Sequence, residues 1–228
     1  MAPISRPTLS LAVLTLVAGC AGAPQRQRVA SFTAPDLATR MPARILVAPF
    51  DAPLCSSDTR SLITAAFAHE MQSALLSQII LAPEEDHRLT AEGACARRGR
   101  VNLETLIAAQ KQYAADAFLF GSVTQYKAYD PAVIGLDVRL LSAEDGDVLW
   151  AAEAVFDARD RDVRRRVEEH FRSSGLSERL GGAELVFMSP QLFSRFVAAE
   201  ILRPLSKTLP PEQPALMAGV ESMLRRVP

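Results

Sequence analysis

The sequence lacks several features that would identify a functional class. It has no excess charge of either sign, because 25 Lys and Arg face 26 Asp and Glu, so its bulk charge does not attract nucleic acid. Its three His lie far apart, and no CxxC or Cys/His spacing predicts a metal or another cofactor. With 49% hydrophobic residues and a net charge of −1, the 228-residue chain is too apolar for a disordered protein. What remains is an ordinary globular domain with a sizeable core.

Signs of catalysis are also missing. Ser122 follows Gly121 inside a predicted strand, without the GxSxG turn that exposes a nucleophile, and we interpret it as a polar strand residue. Asp157, Asp160 and Asp162 lack the Gly and the terminal Glu of a calcium loop. Acidic residues at the positive end of a helix dipole explain them better. We therefore expect a protein that is not an enzyme.

The amino terminus carries an export signal. Arg6 precedes an apolar run at 9–17 that is too short to span a bilayer. The following Val17-Ala18-Gly19-Cys20 resembles the lipobox of bacterial lipoproteins, in which a signal peptidase cleaves before a Cys that carries diacylglycerol. The resemblance implies a signal peptide at 1–19 and a lipid anchor on Cys20. Ala21, in place of Asp, implies sorting to the outer membrane, with the protein facing the periplasm.

The other two Cys have a predicted role of their own. In an oxidising compartment Cys55 and Cys95 are expected to form a disulfide. Its loop of about 40 residues would stabilise the fold by about 3–4 kcal/mol if chain entropy dominates. Two free thiols in loops are the alternative. For Cys20 the alternative is a plain secretory signal with a Cys that carries no lipid.

Composition and periodicity divide the rest of the chain into three parts. Residues 20–43 have no sustained period and contain three Pro, which predicts a lipidated tether. Residues 44–208 form the predicted α/β domain. Residues 209–228 begin with a segment that holds Pro210, Pro211 and Pro214 and continue with an apolar stripe, which predicts a short amphipathic tail helix that either packs on the domain or binds a partner.

Two hydrophobic periods alternate within the domain. A period of two predicts strands, most clearly around the Asp145-Gly146 hairpin turn, and a period near 3.6 predicts helices. Pro204 is expected to kink or end the last helix. The order β-α-β-α-β-β-β-α-α predicts a mixed sheet with helices packed on it. The predicted strands are 44–50, 78–82, 117–126, 133–141 and 148–157, and the predicted helices are 58–77, 102–114, 161–173 and a long helix from 190. The last three strands are predicted to form an antiparallel meander.

Single residues mark the ends of these elements. Ser57 or Asp58 is a candidate to cap the first helix, and Asn102 is the candidate cap of the second. Ser189-Pro190 opens the long helix in the order favoured at the N-cap and the first helical position. Gly121 is a possible bulge or close packing point in its strand, and the glycines at 175, 181 and 182 predict a break before the long helix.

Three segments carry a resemblance to a known group of proteins. These are ARILVAPF at 43–50, AADAFLFGSVTQY at 114–126 and GLDVRLLSAEDGDVLWAAEAVFD at 135–157. Together with the element order they resemble the TolB amino-terminal-like fold of curli-secretion (CsgG group) and penicillin-binding-protein-activator lipoproteins. The resemblance implies a non-catalytic envelope lipoprotein that binds another envelope protein or assembles as a homo-oligomer, in secretion, envelope assembly or peptidoglycan-synthase regulation. The alternative is an auxiliary lipoprotein of a transport system that binds lipid or a small ligand.

Four residues are candidates for partner contact. Tyr126 and Tyr129 lie between two predicted strands, and aromatic residues are enriched at interface hot spots. Two tyrosines at this position are equally typical of side chains that cover the hydrophobic core. Arg164 and Arg165 belong to a basic cluster on a predicted helix, where contact with an anionic partner competes with ion pairing along an exposed helix face. The other members of this cluster are Arg161 and Arg166.

Overall fold

The computed structural model describes residues 29–75, 77–90, 100–129, 131–173 and 184–208. They form one six-stranded mixed sheet with helices packed on it, as predicted. The strand order across the sheet is β1-β6-β5-β4-β2-β3. The strands are β1 (Ala30–Thr33), β2 (Arg44–Val47), β3 (Gln78–Leu81), β4 (Ala117–Lys127), β5 (Val133–Ser142) and β6 (Val148–Asp157). The helices are α1 (Ser57–Ala74), α2 (Leu103–Tyr113), α3 (Arg161–Ser173), α4 (Glu184–Met188) and α5 (Pro190–Thr208).

Strands β4, β5 and β6 form the predicted antiparallel meander. Val138 of β5 pairs with Gly121 of β4 and with Ala152 of β6, and the apolar residues of β5 and β6 alternate toward the core. Gly146 has a φ of 76° in the turn between β5 and β6, a conformation that Gly adopts without the steric cost of a side chain. The hairpin signal at Asp145-Gly146 is therefore confirmed.

The parallel half of the sheet consists of β2, β3 and β4. Helix α1 connects β2 to the parallel β3, and its amino end is capped by Ser56, whose hydroxyl accepts from the amide of Thr59. The cap lies one residue before Ser57, the first of the two residues that the sequence offered. Asn102 caps α2 as predicted, because its side chain accepts from the amide of Glu104.

The tether prediction was wrong for residues 30–43. Ala30–Thr33 form β1, which pairs antiparallel with the outer side of β6, and Leu37 is 2% exposed in the core. Arg40 then binds Asp145 of the hairpin turn at 2.6 Å. The pairing of β1 with β6 and the Arg40–Asp145 contact both join residues more than 100 positions apart, so no local period predicts them. Residues 20–28, the rest of the predicted tether, lie outside the described residues.

The helices after the meander differ from the prediction in two respects. Ser189 caps α5 by accepting from the amide of Leu192, and Pro190 takes the first helical position as predicted. The helix does not end at Pro204 but continues to Thr208. The short α4 was not predicted. The signal peptide at 1–19 and the tail at 209–228 lie outside the described residues and remain predictions.

Two apolar cores give the domain three layers. The larger core lies between one face of the sheet and helices α1, α3, α4 and α5, with Trp150 and Phe156 fully buried in it. The smaller core lies on the opposite face beneath α2, around Phe118 and Phe120. At Gly121 a Cβ atom would lie 2.4 Å from the ring of Phe50, so this position is the close packing point that the sequence suggested. Within the described ranges no helix has the length and apolarity to cross a membrane.

Candidate functional site

A groove opens at the end of the sheet where β4 turns into β5. The register places Lys127 of β4 beside Val133 of β5, and Val133 beside Asp157 of β6, so the β4–β5 connection meets the β6–α3 connection at this end. Helix α4 closes one side of the groove. The cavity has a volume of about 790 Å³. Its lining residues are Tyr129, Pro131, Ala132, Ala158, Arg159, Arg161, Arg164, Glu184, Phe187 and Met188.

Of the two predicted tyrosines, one lines the groove and the other does not. Tyr129 lines it with 59% of its surface exposed. Tyr126 is half-buried and packs against the larger core, where burial raises the pKa of its phenol and a hydrogen bond with Thr59 opposes that shift. Tyr129 therefore belongs to an accessible surface, whereas Tyr126 covers the core.

Of the two predicted arginines, again only one lines the groove. Arg164 points into the groove, where it pairs with the carboxylate of Glu184 and its guanidinium carbon lies 5.0 Å from the centre of the Phe187 ring. Arg165 lies outside the groove and binds Asp162 and Glu169, three residues back and four residues on along α3. Hydrogen bonds to these two carboxylates raise the pKa of Arg165. Arg165 thus has the ion-paired, exposed role that the sequence offered as the alternative.

The other arginines of the groove differ in their partners. Arg159 is held by Asp157, with Nη2 2.6 Å from Oδ2 and Nε 3.1 Å from Oδ1. Arg161 is exposed at the first position of α3 and makes no ion pair or side-chain hydrogen bond with any residue that the structure describes. The sequence placed Arg161 in the basic cluster, but nothing in the helix pattern distinguished it from Arg165.

Sequence reasoning missed the contribution of α4 to the groove. Glu184, Phe187 and Met188 come from a five-residue helix that begins two residues after Gly182, where the glycines predict only a break between helices. The signal that could have found it is the run Leu185–Met188, four consecutive large apolar residues directly after an acid. Three stretches far apart in the chain meet here, so no single motif marks the site.

A second depression, of about 510 Å³, lies at the opposite end of the meander. Arg40 crosses it to reach Asp145, and hydrogen bonds from the Asp147 amide, Ser142 and Arg40 lower the pKa of the Asp145 carboxyl. These bonds hold the segment before β2 against the hairpin turn. Because Arg40 is occupied by Asp145 and the Asp116 carboxylate accepts from the amide of Arg44, we interpret this depression as a structural junction.

The remaining predicted positions are only partly described. Cys55, the one cysteine inside the described ranges, is half-buried, and burial raises the pKa of its thiol. Cys95 and Cys20 lie outside those ranges, so the disulfide and the lipid anchor stay predictions. Among the described residues no group of three His, Cys, Asp or Glu side chains is arranged to hold a metal ion. Ser122 is 2% exposed within β4, consistent with a polar strand residue.

Comparison with known proteins adds evidence on the fold. No family model and no curated protein sequence matches the chain. The PelC dodecamer structure from Paraburkholderia phytofirmans matches 79% of this chain and 97% of its own, with 14% identity and a TM-score of 0.50. Lipoprotein GNA1162 from Neisseria meningitidis matches 51% of this chain and 81% of its own, with 21% identity and a TM-score of 0.37. The LpoB C-terminal domain from Salmonella enterica matches 53% of this chain and 92% of its own, with 10% identity and a TM-score of 0.34.

At 14% identity the likeness to PelC is one of fold. It extends over most of this chain and nearly all of the PelC chain, so the mixed sheet with its packed helices is an arrangement that a known protein shares. The TolB-like and CsgG-like resemblance that the sequence suggested stays a prediction.

Proposed function

We propose that this protein is a lipid-anchored, non-catalytic component of the bacterial envelope that acts by binding another envelope protein at the periplasmic face of the outer membrane. The observation that carries the proposal is the groove beside α4. This open cavity of about 790 Å³ is lined by three arginines together with Tyr129, Phe187 and Met188. The envelope process, whether secretion, assembly or peptidoglycan-synthase regulation, follows from the identity of the partner.

The composition of the groove supports contact with a protein. Aromatic residues, Met and Arg are enriched at the centres of protein interfaces, whereas Lys, Glu, Asp, Ser and Ala are depleted there. Eight large apolar side chains are exposed among the described residues, and Tyr129, Leu185 and Met188 lie in the groove or in α4 beside it. Their clustering at one end of the domain favours an interaction surface over scattered exposure.

The short connection to Cys20 supports action close to the membrane. Only residues 21–29 separate Cys20 from β1, which is far less chain than the predicted tether of 20–43. Even fully extended, this connection reaches at most about 35 Å. A lipid on Cys20 would therefore hold the domain beside its own membrane, where a partner has to approach it.

A second copy of this chain is one partner to consider. The PelC structure of similar fold is a dodecamer. A homo-oligomer and a complex with a different protein both require a surface such as the groove, and the mass of a cross-linked product separates them.

A second candidate function is supported by the size of the groove. Small-molecule sites in proteins have volumes of about 300–1,000 Å³ and combine apolar walls with a few polar groups. At about 790 Å³ the groove falls in this range. The protein would then be an auxiliary lipoprotein of a transport system that binds lipid or a small ligand.

Photo-cross-linking in intact cells tests the proposal. A photoreactive amino acid replaces Tyr129 or Met188 in the groove, or Ile107 as a control, which is 46% exposed on α2. We expect the two groove positions to give a protein adduct of defined mass that mass spectrometry identifies, and Ile107 to give none. An adduct of twice the chain mass would identify a second copy. Adducts with lipid or a small molecule alone would favour the second candidate, and equal adducts from all three positions would contradict a groove-specific partner.

A further inference from the structure

Helix α4 shows how the amino-terminal half of α3 binds an acidic, apolar segment. Arg164 of α3 pairs with the Glu184 carboxylate, and its guanidinium also lies over the Phe187 ring at 5.0 Å. A planar guanidinium makes both contacts at once, because its edge donates to the carboxylate while its face stacks on the ring. Glu184 and Phe187 are three residues apart on a helix, so their side chains project from the same face.

Arg161 offers the same chemistry one helical turn earlier. Residues three apart on α3 lie on one face about 4.5 Å apart along the axis, and Arg161 and Arg164 both line the groove. Arg164 is occupied by Glu184. Arg161 is exposed and has no ion pair with any described residue.

The acidic side chains near Arg161 are bound elsewhere. Asp157 holds Arg159, and Asp160 accepts from the amide of Asp162 at the start of α3. Asp162 itself pairs with Arg165. Among the described side chains Arg161 therefore makes no ion pair with these acids, and its guanidinium is available to donate to a carboxylate of another segment.

Apolar side chains complete the surface around that charge. Tyr129 and Met188 are 59% and 69% exposed, and both line the same cavity as Arg161. An occupant with a carboxylate for Arg161 and a large apolar side chain for these two residues would match the groove in both charge and polarity. That is the pattern that α4 presents to Arg164.

We propose that Arg161, Tyr129 and Met188 form the docking site for a peptide segment of the partner that carries a carboxylate and, three residues on, an aromatic or large apolar side chain. This inference rests on the proposed function, since it specifies the chemistry of the partner that the groove binds. The partner's segment lies alongside α4 and repeats its contact with α3.

A synthetic peptide tests the docking chemistry directly. The probe has the sequence of residues 184–188, Glu-Leu-Val-Phe-Met, with blocked ends and a fluorophore, and its binding to the full chain in detergent is measured by fluorescence anisotropy at low salt. We expect saturable binding that weakens about tenfold for Arg161→Gln, because a charge-assisted hydrogen bond is lost. Tyr129→Ala and the peptide variant Glu184→Gln should weaken it as well. Arg165→Gln is the matched control, since Arg165 lies on the same helix outside the groove, and it should bind as the wild type does.

Two results of the peptide experiment would overturn the inference. One is equal binding of the peptide to the wild type and to Arg161→Gln, and the other is no binding by the wild type. Vesicles of phosphatidylglycerol that bind through Arg161 where the peptide does not would assign the site to a lipid headgroup, which also overturns it. The photo-cross-link from position 129 is then repeated in the Arg161→Gln background. An unchanged adduct there means that the proposed function stands and the docking chemistry fails, whereas the absence of any groove adduct in the wild type means that the proposed function fails.

Discussion

Glu200 of α5 is 2% exposed, and one of its carboxylate oxygens accepts a hydrogen bond of 2.6 Å from Nη1 of Arg166 in α3. Arg203 pairs with the other oxygen, and the guanidinium carbon of Arg166 lies 5.5 Å from the centre of the Phe156 ring. This ion pair joins the two helices over the larger core. An acid at this depth is tolerated only because cations compensate it.

Replacing Arg166 by Met should destabilise the domain by about 3 kcal/mol, because removal of one partner leaves a buried carboxylate that is incompletely paired. Arg203 still contacts Glu200, which places the expected loss at the lower end of the range for such pairs. Chemical denaturation measures the free energy of unfolding. The control is Arg165→Met, which removes an exposed arginine from the same helix and should change stability little. Equal losses in both variants would show that burial of the pair does not matter.

Hydrophobic periodicity, turn residues and capping residues predicted several elements of the fold from the sequence alone. The β5–β6 hairpin has strict alternation and Asp145-Gly146 at its turn, and the Asn102 cap of α2 lies directly before its helix. Each of these signals acts over a few residues. Period and capping chemistry are therefore sufficient to place such elements, with errors of one to a few residues at their ends.

The features that were missed depend on distant partners. Strand β1 has four residues, three of them exposed, and it is a strand because β6 pairs with it. Glu200 falls between Val197 and Ile201 on the apolar stripe of α5, and its burial there depends on pairing with Arg166 of the distant α3 as well as with Arg203. The groove joins residues 129–132, 158–164 and 184–188. Sequence reasoning named Tyr129 and Arg164 as candidates for partner contact but could not separate them from Tyr126 and Arg165, because which side chains face the groove is decided by tertiary packing.

Substitution of Gly121 by Ala should destabilise the fold by about 1–3 kcal/mol, the usual cost of overpacking a core. A Cβ atom there would lie 2.4 Å from the Phe50 ring, and both residues are buried. The double variant Gly121→Ala with Phe50→Leu tests the cause, because a smaller side chain makes room for the methyl group. Denaturant unfolding should then show a coupling energy between the two sites. Additive losses would mean that the contact with Phe50 is not the source of the cost.

Residue Leu37 distinguishes a folded segment from a tether. Its side chain is 2% exposed in the larger core, so Leu37→Ala should cost about 2–5 kcal/mol of unfolding free energy through lost burial and the cavity left behind. Thermal or denaturant unfolding measures the change. Leu54→Ala is the control, since Leu54 is 66% exposed. If Leu37→Ala were as stable as the control, residues 30–43 would not be a folded part of the domain and the tether prediction would hold for them.

Stability should depend on pH through His170. Burial lowers the pKa of this imidazole below its ordinary value of 6.5, with Arg203 and Arg195 acting in the same direction and Glu70 and Glu200 opposing. The unfolded chain then binds the proton more readily than the folded chain, so the free energy of unfolding falls as the pH drops below about 6.5 and on through the lower folded pKa.

The test compares unfolding at about pH 7.5 and about pH 5 in the wild type and in His170→Gln. We expect the variant to lose less stability between the two, because it has no imidazole to protonate. The exposed His87→Gln is the matched control, which removes a histidine without disturbing the packing of α3. A His170→Gln variant with the full pH dependence of the wild type would assign that dependence to other groups.

The lipid anchor is the prediction on which the proposed location depends. If Cys20 carries the lipid, cells fed radiolabelled palmitate should label the wild type and not Cys20→Ala, since the acyl chains are attached through that cysteine. Cys55→Ala is the control, because that thiol lies within the folded domain and Cys20 is retained, so this variant should be labelled as the wild type is. Equal labelling of the wild type and Cys20→Ala would contradict the anchor, and with it the argument that the groove meets its partner at a membrane surface.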